Sequence, residues 1–110
     1  PAKIATLNLS YNSMTSRHFL LMAQSLRYNK CLGHFDVSWN SLGDIGAMAL
    51  AEALRPNRSI HTLDVAHCNI EERGTMVLAD MLKENKPVTI TNGLSDLEKN
   101  DIQSAPNEYS

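Results

Sequence analysis

Two aspartates stand at equivalent places in successive segments of this chain and carry the side chains that general acid–base chemistry uses. Asp36 and Asp64 each follow a large apolar residue in a short apolar segment. A working acid–base pair needs an enclosing pocket around the two carboxyl groups. Neighbouring strands of an open sheet give little enclosure, so we predict that these carboxylates belong to a solvated polar ladder. The sequence therefore predicts no catalytic residues at this position.

Three histidines and a cysteine have the donor atoms of a zinc site. His34, His61, His67 and Cys68 supply them, but His61 precedes a strand-like segment and His67 follows its end, so these rings should lie apart. We therefore predict no metal and no cofactor. Cys31 stands near the start of one strand-like segment and Cys68 past the end of the next. That separation is too large for a disulfide bond.

The composition excludes several classes of partner. Net charge is −2 over 110 residues, so no polybasic surface favours nucleic acid or an anionic membrane. No apolar run is long enough to span a bilayer, so we predict no membrane insertion. Two cysteines without a disulfide framework, and the lack of a signal-peptide-like segment, favour an intracellular and cytoplasmic protein.

A 28-residue period organises the chain. Leu7, Phe35 and Leu63 share one position of the repeat. Such self-similarity indicates stacked copies of one supersecondary unit. Other aligned sets are Leu9, Val37 and Val65; Met14, Leu42 and Ile70; Leu26, Leu54 and Leu82; and Ile4, Leu32, Ile60 and Val88, which open successive units.

Each unit combines two periodic patterns of apolar residues. The segments "IATLNL", "LGHFDV" and "IHTLDV" alternate, which predicts strands with residues such as Phe35 and Val37 facing inward. Apolar residues then recur at helical spacing, as in the stripe Ala47, Leu50, Ala51 and Leu54. One strand and one helix cannot bury both apolar faces. Stacked units can, and they form a parallel sheet covered by a row of helices.

The predicted helices carry polar residues at their ends and a second apolar row on their surface. Ser16, Asp44 and Glu72 precede or open the helices, where an oxygen can accept free N–H groups. A cation stands in each last turn, at Arg27, Arg55 and Lys83. A further apolar row either fills the space between adjacent helices or forms a convex docking surface. Its members are Leu20, Met48 and Met76, beside Leu21, Ala49 and Val77.

The units share the pattern L-x-x-L-x-L-x-x-N/C-x-L, written "IATLNLSYNSM", "LGHFDVSWNSL" and "IHTLDVAHCNI". This pattern resembles the leucine-rich repeat, and the repeat length with "GDIGAMALAEAL" resembles its ribonuclease-inhibitor-like subclass. The resemblance implies an α/β solenoid, a right-handed β/α horseshoe with a parallel concave sheet and convex α-helices. It also implies that the N/C position is buried and bonds the backbone of the turn. Asn12, Asn40 and Cys68 would then form a structural ladder.

The repeats divide the chain into three parts. Residues 1–91 should hold about three repeats and the strand of a fourth, residues 92–103 a C-terminal cap, and residues 104–110 a disordered tail. Thr91 stands where the 28-residue period expects a leucine. The apolar start of the chain has no cap, so we expect a fragment of a longer repeat protein, with further repeats or another chain at the N-terminal edge.

Outward strand positions and the residues just after them should form the partner-binding surface. Tyr11, Trp39 and His67 fall at one repeat position directly after the strands. Aromatic residues are enriched among those that dominate binding energies. Packing of these rings on neighbouring loops is the alternative. The predicted partner-binding residues are Asn8, Ser10, Tyr11, His34, Asp36, Ser38, Trp39, Thr62, Asp64 and His67.

The predicted function is non-enzymatic recognition or scaffolding of a protein partner. A curved sheet offers a long rigid surface and no deep pocket. Members of the family it resembles include nuclease inhibitors, actin-capping proteins, immune sensors and ciliary scaffold subunits. A sensor domain of an innate-immune receptor and a ciliary or cytoskeletal scaffold subunit are therefore alternatives. A regulator of an enzyme is another, similar to the Ran GTPase activators of the family, with Arg17 and Arg73 as candidate residues.

Overall fold

The computed structural model describes residues 5–84 and 88–91, in which strands and helices alternate. A helix follows each of the first three strands, as the two patterns of apolar residues predict. The elements are β1 Ala5–Asn8, α1 Ser16–Leu26, β2 Leu32–Asp36, α2 Gly43–Leu54, β3 Thr62–Asp64, α3 Glu72–Lys83 and β4 Thr89–Thr91.

The strands form one open parallel sheet in the order β1-β2-β3-β4. Leu7 pairs with Phe35, and Phe35 pairs with Leu63, so the strands are aligned by the period read from the sequence. Helix α2 packs against both α1 and α3. The predicted α/β solenoid with a parallel sheet and a layer of helices is confirmed.

The last step of the repeat is one residue shorter than the two before it. Leu63 pairs with Ile90 and Asp64 with Thr91. The expectation that Thr91 occupies a leucine position is therefore wrong by one residue. A shift of one residue exchanges the two faces of a strand. Ile90 is only 1% exposed and supplies the apolar side chain that this position requires.

The core lies between the sheet and the helices. Phe35 and Leu63 come from the strands and are buried, while Phe19 and Leu78 come from the helices. The predicted stripe of α2 is confirmed, because all four of its residues are buried: Ala47, Leu50, Ala51 and Leu54. Burying apolar surface is the main favourable term in folding, at about 25 cal/mol per Å².

The second apolar row of the helices divides into two groups. Ala49 is buried, and Val77 packs partly buried against the core. Leu20, Leu21, Met48 and Met76 are instead exposed. The inter-helix interpretation therefore holds for the alanine and valine positions, whereas the leucine and methionine positions remain on the surface.

Asp44 caps the helix of the following repeat. Its Oδ1 accepts hydrogen bonds from the backbone N–H groups of Glu71 (2.7 Å) and Gly74 (3.0 Å), at the start of α3. A Cβ at Gly74 would lie 2.7 Å from this oxygen, so glycine permits the close approach. Asp44 stands in the first turn of α2, as predicted, and its hydrogen bonds cap α3, where the carboxylate also meets the positive end of the helix dipole.

The predicted cap at 92–103 and tail at 104–110 lie outside the described residues. The division of the chain into these parts stays a prediction.

Candidate partner-binding surface

A polar side chain near the end of each of the first three strands turns the chain toward the helix. Oδ1 of Asn8 accepts a hydrogen bond from the N–H of Ser10 at 2.9 Å, and Oδ1 of Asp36 accepts one from Ser38 at the same distance. Asp64 accepts one from the N–H of Ala66 at 3.0 Å. These contacts are Asx turns, which hold the chain in a fixed bend.

Three ring side chains follow the first three strands and stack on one another. The rings of Tyr11 and Trp39 lie 5.2 Å apart with 12° between their planes. The rings of Trp39 and His67 lie 3.9 Å apart with 18° between their planes. We call these three residues the ring stack. Tyr11 is 70% exposed and Trp39 is 47% exposed, so the stack presents a wide aromatic surface to solvent.

The backbone of the ring stack is left-handed at every member. The φ angles are 60° at Tyr11, 58° at Trp39 and 54° at His67. This conformation costs about 1–2 kcal/mol for a residue with a Cβ. Hydrogen bonds from the N–H of Tyr11 to the Ser38 carbonyl and from the N–H of Trp39 to the Ala66 carbonyl hold it in place. The chain therefore adopts a costly backbone conformation three times at the position that presents a ring.

The face of the sheet away from the helices, here the open face, is acidic beside the ring stack. Asp36 and Asp64 lie opposite each other in register, and the strand segments 5–8, 32–36, 62–64 and 89–91 contain no lysine or arginine. His34 Nδ1 lies 2.6 Å from Thr62 Oγ1. Together with Thr6, these residues line a shallow open depression of about 200 Å³.

Some of the predicted partner-binding residues are not fully accessible to a partner. Ser38 is buried and its hydroxyl donates to Asp36, while Ser10 is half-buried and donates to Asn8. Thr89 pairs with Thr62 and is exposed on the same sheet, but the sequence interpretation missed it. Thr89 reaches this position through the shorter last step of the repeat, which the sequence pattern does not reveal.

Asn40 joins two repeats from a buried position. Its Oδ1 accepts hydrogen bonds from the N–H groups of Asn12 (3.1 Å) and Met14 (2.8 Å) in the preceding repeat. Its Nδ2 donates to the carbonyls of Leu9 (2.9 Å) and Val37 (3.0 Å). The amide therefore closes the turn of its own repeat and binds it to the neighbour.

The other two members of this ladder are less fully bonded. Asn12 is exposed, which corrects the expectation of a buried side chain there, and its Nδ2 donates to the carbonyls of Leu9 and Ser10 in its own turn. Cys68 is buried, and its thiol donates to the carbonyls of Val37 (3.2 Å) and Ala66 (3.5 Å). The three side chains form one row at the repeat spacing, with Asn40 between them.

A family model described as the leucine-rich repeat matches the chain twice, at residues 28–51 and 57–79. Each match begins before a strand and ends inside the helix that follows it. Residues 28–51 and 57–79 are leucine-rich repeats. Such repeats are typically non-enzymatic modules that mediate protein–protein interaction. A comparison with curated proteins returns no significant match.

The leucine-rich repeats show neither a metal cluster nor a membrane-spanning helix in the part that the structure describes. Residues 5–84 and 88–91 hold no group of three histidine, cysteine, aspartate or glutamate residues placed to bind a metal ion. The helices in this part are too short or too polar to cross a bilayer. Cys31 is exposed and Cys68 is buried, and both are free thiols.

Cys68 gives these leucine-rich repeats a pH-dependent contact. Burial raises the pKa of the Cys68 thiol to about 11, and the carboxylates of Asp64 and Asp36 act in the same direction. Because the folded pKa lies above the ordinary value near 9, the folded state favours the neutral thiol. The contribution of the neutral Cys68 thiol to the free energy of unfolding is complete below pH 9 and is lost as the pH rises toward 11.

We expect the wild-type chain to lose up to about 2–3 kcal/mol of unfolding free energy over this pH range because of Cys68. The measurement is urea denaturation at about pH 8 and about pH 10.5 for wild type and Cys68→Asn. Asparagine is the residue at the two equivalent positions and does not ionise, so the variant should lose less stability. An equal loss in both proteins would contradict the assignment to Cys68.

Proposed function

We propose that these leucine-rich repeats form a non-enzymatic recognition module that binds a protein partner through the ring stack and the adjoining open face. The observation that supports this most is the ring stack itself. Three consecutive repeats place a ring on a left-handed backbone, with Tyr11 and Trp39 exposed. Rigid, exposed aromatic side chains supply large contact area at low entropic cost, as at known interface hot spots.

The partner segment we propose is basic. In the described part of the chain, the acidic side chains on the open face near the ring stack are Asp36 and Asp64. The strands of this face contain no lysine or arginine. Each aspartate accepts a hydrogen bond from its own turn through Oδ1. Arginine or lysine on the partner could pair with the acidic open face and lie over the exposed ring of Tyr11, because Tyr11 and His67 cover the two faces of the Trp39 ring.

The finer classification is also a proposal. Helices of 11 or 12 residues in each unit support the ribonuclease-inhibitor-like subclass. The cytoplasmic location stays a proposal from composition. Arg17 and Arg73, the candidate residues of an enzyme regulator, are exposed in the first turns of α1 and α3. No contact in the described residues favours the regulator, immune-sensor or ciliary-scaffold alternatives.

We also propose that the β1 edge packs against a further repeat, in this chain or another. Asn40 uses its Oδ1 to accept two N–H groups from the repeat before it. Oδ1 of Asn12, at the same repeat position, accepts no hydrogen bond within residues 5–84 and 88–91. Leu7 and Leu21 of the same repeat are also exposed. A stacked repeat would cover these groups in the way that the second repeat covers the first.

We expect Trp39→Ala to weaken partner binding at least about tenfold, because truncating a central aromatic hot spot typically costs about 2 kcal/mol or more. The partner is first isolated by affinity capture on the chain and then titrated by isothermal calorimetry. Leu20→Ala is the matched control, because Leu20 is an exposed apolar residue on the helical side. Loss of binding in Leu20→Ala with retention in Trp39→Ala would place the partner on the helices and contradict the proposal.

The double variant Asp36→Asn/Asp64→Asn tests whether the partner segment is basic. Asn8 makes the same turn with an amide oxygen, so the double variant should keep the fold and lose only the two charges. Binding should weaken about three- to tenfold at low salt. Unchanged affinity would refute the basic segment and leave recognition by the ring stack intact.

A further inference from the structure

A second groove lies at the opposite end of the strands from the ring stack. It is formed by the two loops that connect α1 to β2 and α2 to β3, residues 27–30 and 56–59. The groove is open and has a volume of about 650 Å³. That volume lies within the range of about 300–1,000 Å³ typical of ligand sites. We call it the basic groove for the residues that line it.

Three cations line the basic groove, and no acidic residue does. Arg27, Lys30 and Arg58 are in its walls. Within residues 5–84 and 88–91, none of the three forms an ion pair with a carboxylate. Lys30 and Arg58 stand one full repeat apart, so successive repeats place a cation at the same position of the loop. This spacing is the signal that the sequence interpretation missed.

The cations at the repeat position of Arg27 in the following repeats form ion pairs with carboxylates. Arg55 is equivalent to Arg27, but it forms an ion pair with Glu84. Lys83 occupies the next equivalent position and pairs with Asp80 at 3.9 Å. Arg27 therefore differs from its two equivalents in leaving its charge unpaired on the surface.

Helix capping accounts for only one of the three cations. Arg27 directly follows the last residue of α1, where a positive charge offsets the negative end of the helix dipole. Lys30 and Arg58 each stand beyond the end of a helix by more than three positions. The dipole effect falls off within the last turn. Their charges are therefore free to act on a bound anion.

The base of the basic groove is held rigid by a buried asparagine. Asn57 Nδ2 donates to the carbonyls of Leu26 (2.7 Å) and Asn29 (3.0 Å), and its Oδ1 accepts the N–H groups of Ser59 and Ile60. These bonds connect the two loops across the groove. A preformed site loses little conformational entropy when it binds a ligand.

The wall of the basic groove adds apolar surface to the charge. Tyr28 is exposed, and the guanidinium of Arg27 lies 6.0 Å from the centre of its ring. Pro56 lines the groove from the second loop. A ligand with both carboxylates and carbon-rich backbone would contact all of these groups.

We propose that the basic groove binds an acidic peptide segment of a partner protein. Carboxylates of the segment pair with Arg27, Lys30 and Arg58, and its backbone lies against Tyr28 and Pro56. A peptide fits better than a nucleic acid, because the chain has a net charge of −2 and three phosphate contacts give weak binding. The site is independent of the ring stack, which lies past the other ends of the strands.

The test is fluorescence anisotropy of the full chain with a fluorescein-labelled hexaglutamate peptide, and a labelled hexaglutamine peptide serves as the uncharged probe. We expect saturable binding of the acidic peptide and no binding of the uncharged probe. Salt should weaken the binding of the acidic peptide, because it screens exposed charges. Arg27→Gln/Arg58→Gln should weaken binding about fivefold or more. Arg55→Gln, which changes an equivalent but paired cation, should change affinity less than about twofold.

Several outcomes would overturn the proposal. Equal loss of binding in Arg55→Gln would show that total charge matters and that the groove does not. Tighter binding of a single-stranded hexanucleotide, in competition with the peptide, would assign the groove to nucleic acid. Self-association that Arg27→Gln/Arg58→Gln abolishes would assign it to a second copy of the chain. Loss of peptide binding in Trp39→Ala would place the peptide at the ring stack.

Discussion

Asn40→Ala is expected to lower the free energy of unfolding by about 3–5 kcal/mol, an unusually large effect for one polar side chain. Asn40 is 3% exposed and bonds backbone groups of two repeats. Removing it leaves the N–H groups of Asn12 and Met14 without these partners, and the Val37 carbonyl keeps only the hydrogen bond from the Cys68 thiol. Each buried group left unpaired costs about 1–3 kcal/mol.

The matched control for this substitution is Asn12→Ala, at the same position one repeat earlier. Asn12 is exposed and its side chain bonds only carbonyls of its own turn. We expect a loss of about 1 kcal/mol there. Urea denaturation followed by the fluorescence of Trp39, the single tryptophan, measures both variants. Similar losses at the two positions would show that the bonds between repeats contribute little.

The sequence alone was sufficient for the architecture of the repeat. The regular spacing of Leu7, Phe35 and Leu63 sets the register of three strands. The helical stripe around Leu50 identifies the buried face of α2. These predictions succeed because burial imposes the same periodicity on every repeat, and an alternating or helical pattern records which face is buried.

The sequence did not contain enough information for three other features. The step to Ile90 is one residue shorter, and a change in loop length leaves no trace in the pattern of so short a strand. Asp44 marks a helix start, yet its two partners belong to the next helix. Asn12 shares the position of Asn40 but is exposed. Contacts between repeats depend on the rotation of one unit against another and on which units have a neighbour, and residue spacing specifies neither.

The ring stack shows the same division between what spacing predicts and what it does not. Spacing places Tyr11, Trp39 and His67 at one repeat position. It does not predict that their backbone is left-handed or that the rings lie nearly parallel. The alternative of rings packed on neighbouring loops was therefore incomplete, because these rings pack on one another and Tyr11 and Trp39 stay exposed. Stacking orders the rings before a partner arrives, which reduces the entropy lost on binding.

Leu63→Ala is the second substitution with a large expected effect, a loss of about 3–5 kcal/mol. Leu63 is fully buried in β3, between Phe35 of β2 and Ile90 of β4. Truncation removes apolar contacts and leaves a cavity that neighbours on both sides cannot fill without moving. The loss should appear in the urea midpoint, with a slope close to that of the wild type.

Leu7→Ala is the control for this position, because Leu7 pairs with Phe35 in the same register and belongs to the same column of the repeat. It is 40% exposed, since β1 has a neighbouring strand on one side only. We expect a loss of about 1 kcal/mol, close to the transfer free energy of the part that is buried. If Leu7→Ala destabilised the chain as much as Leu63→Ala, the edge of the first repeat would be covered in solution. That cover would be the further repeat that we propose, supplied by a second copy of the chain, and the exposure of Leu7 would not hold in solution.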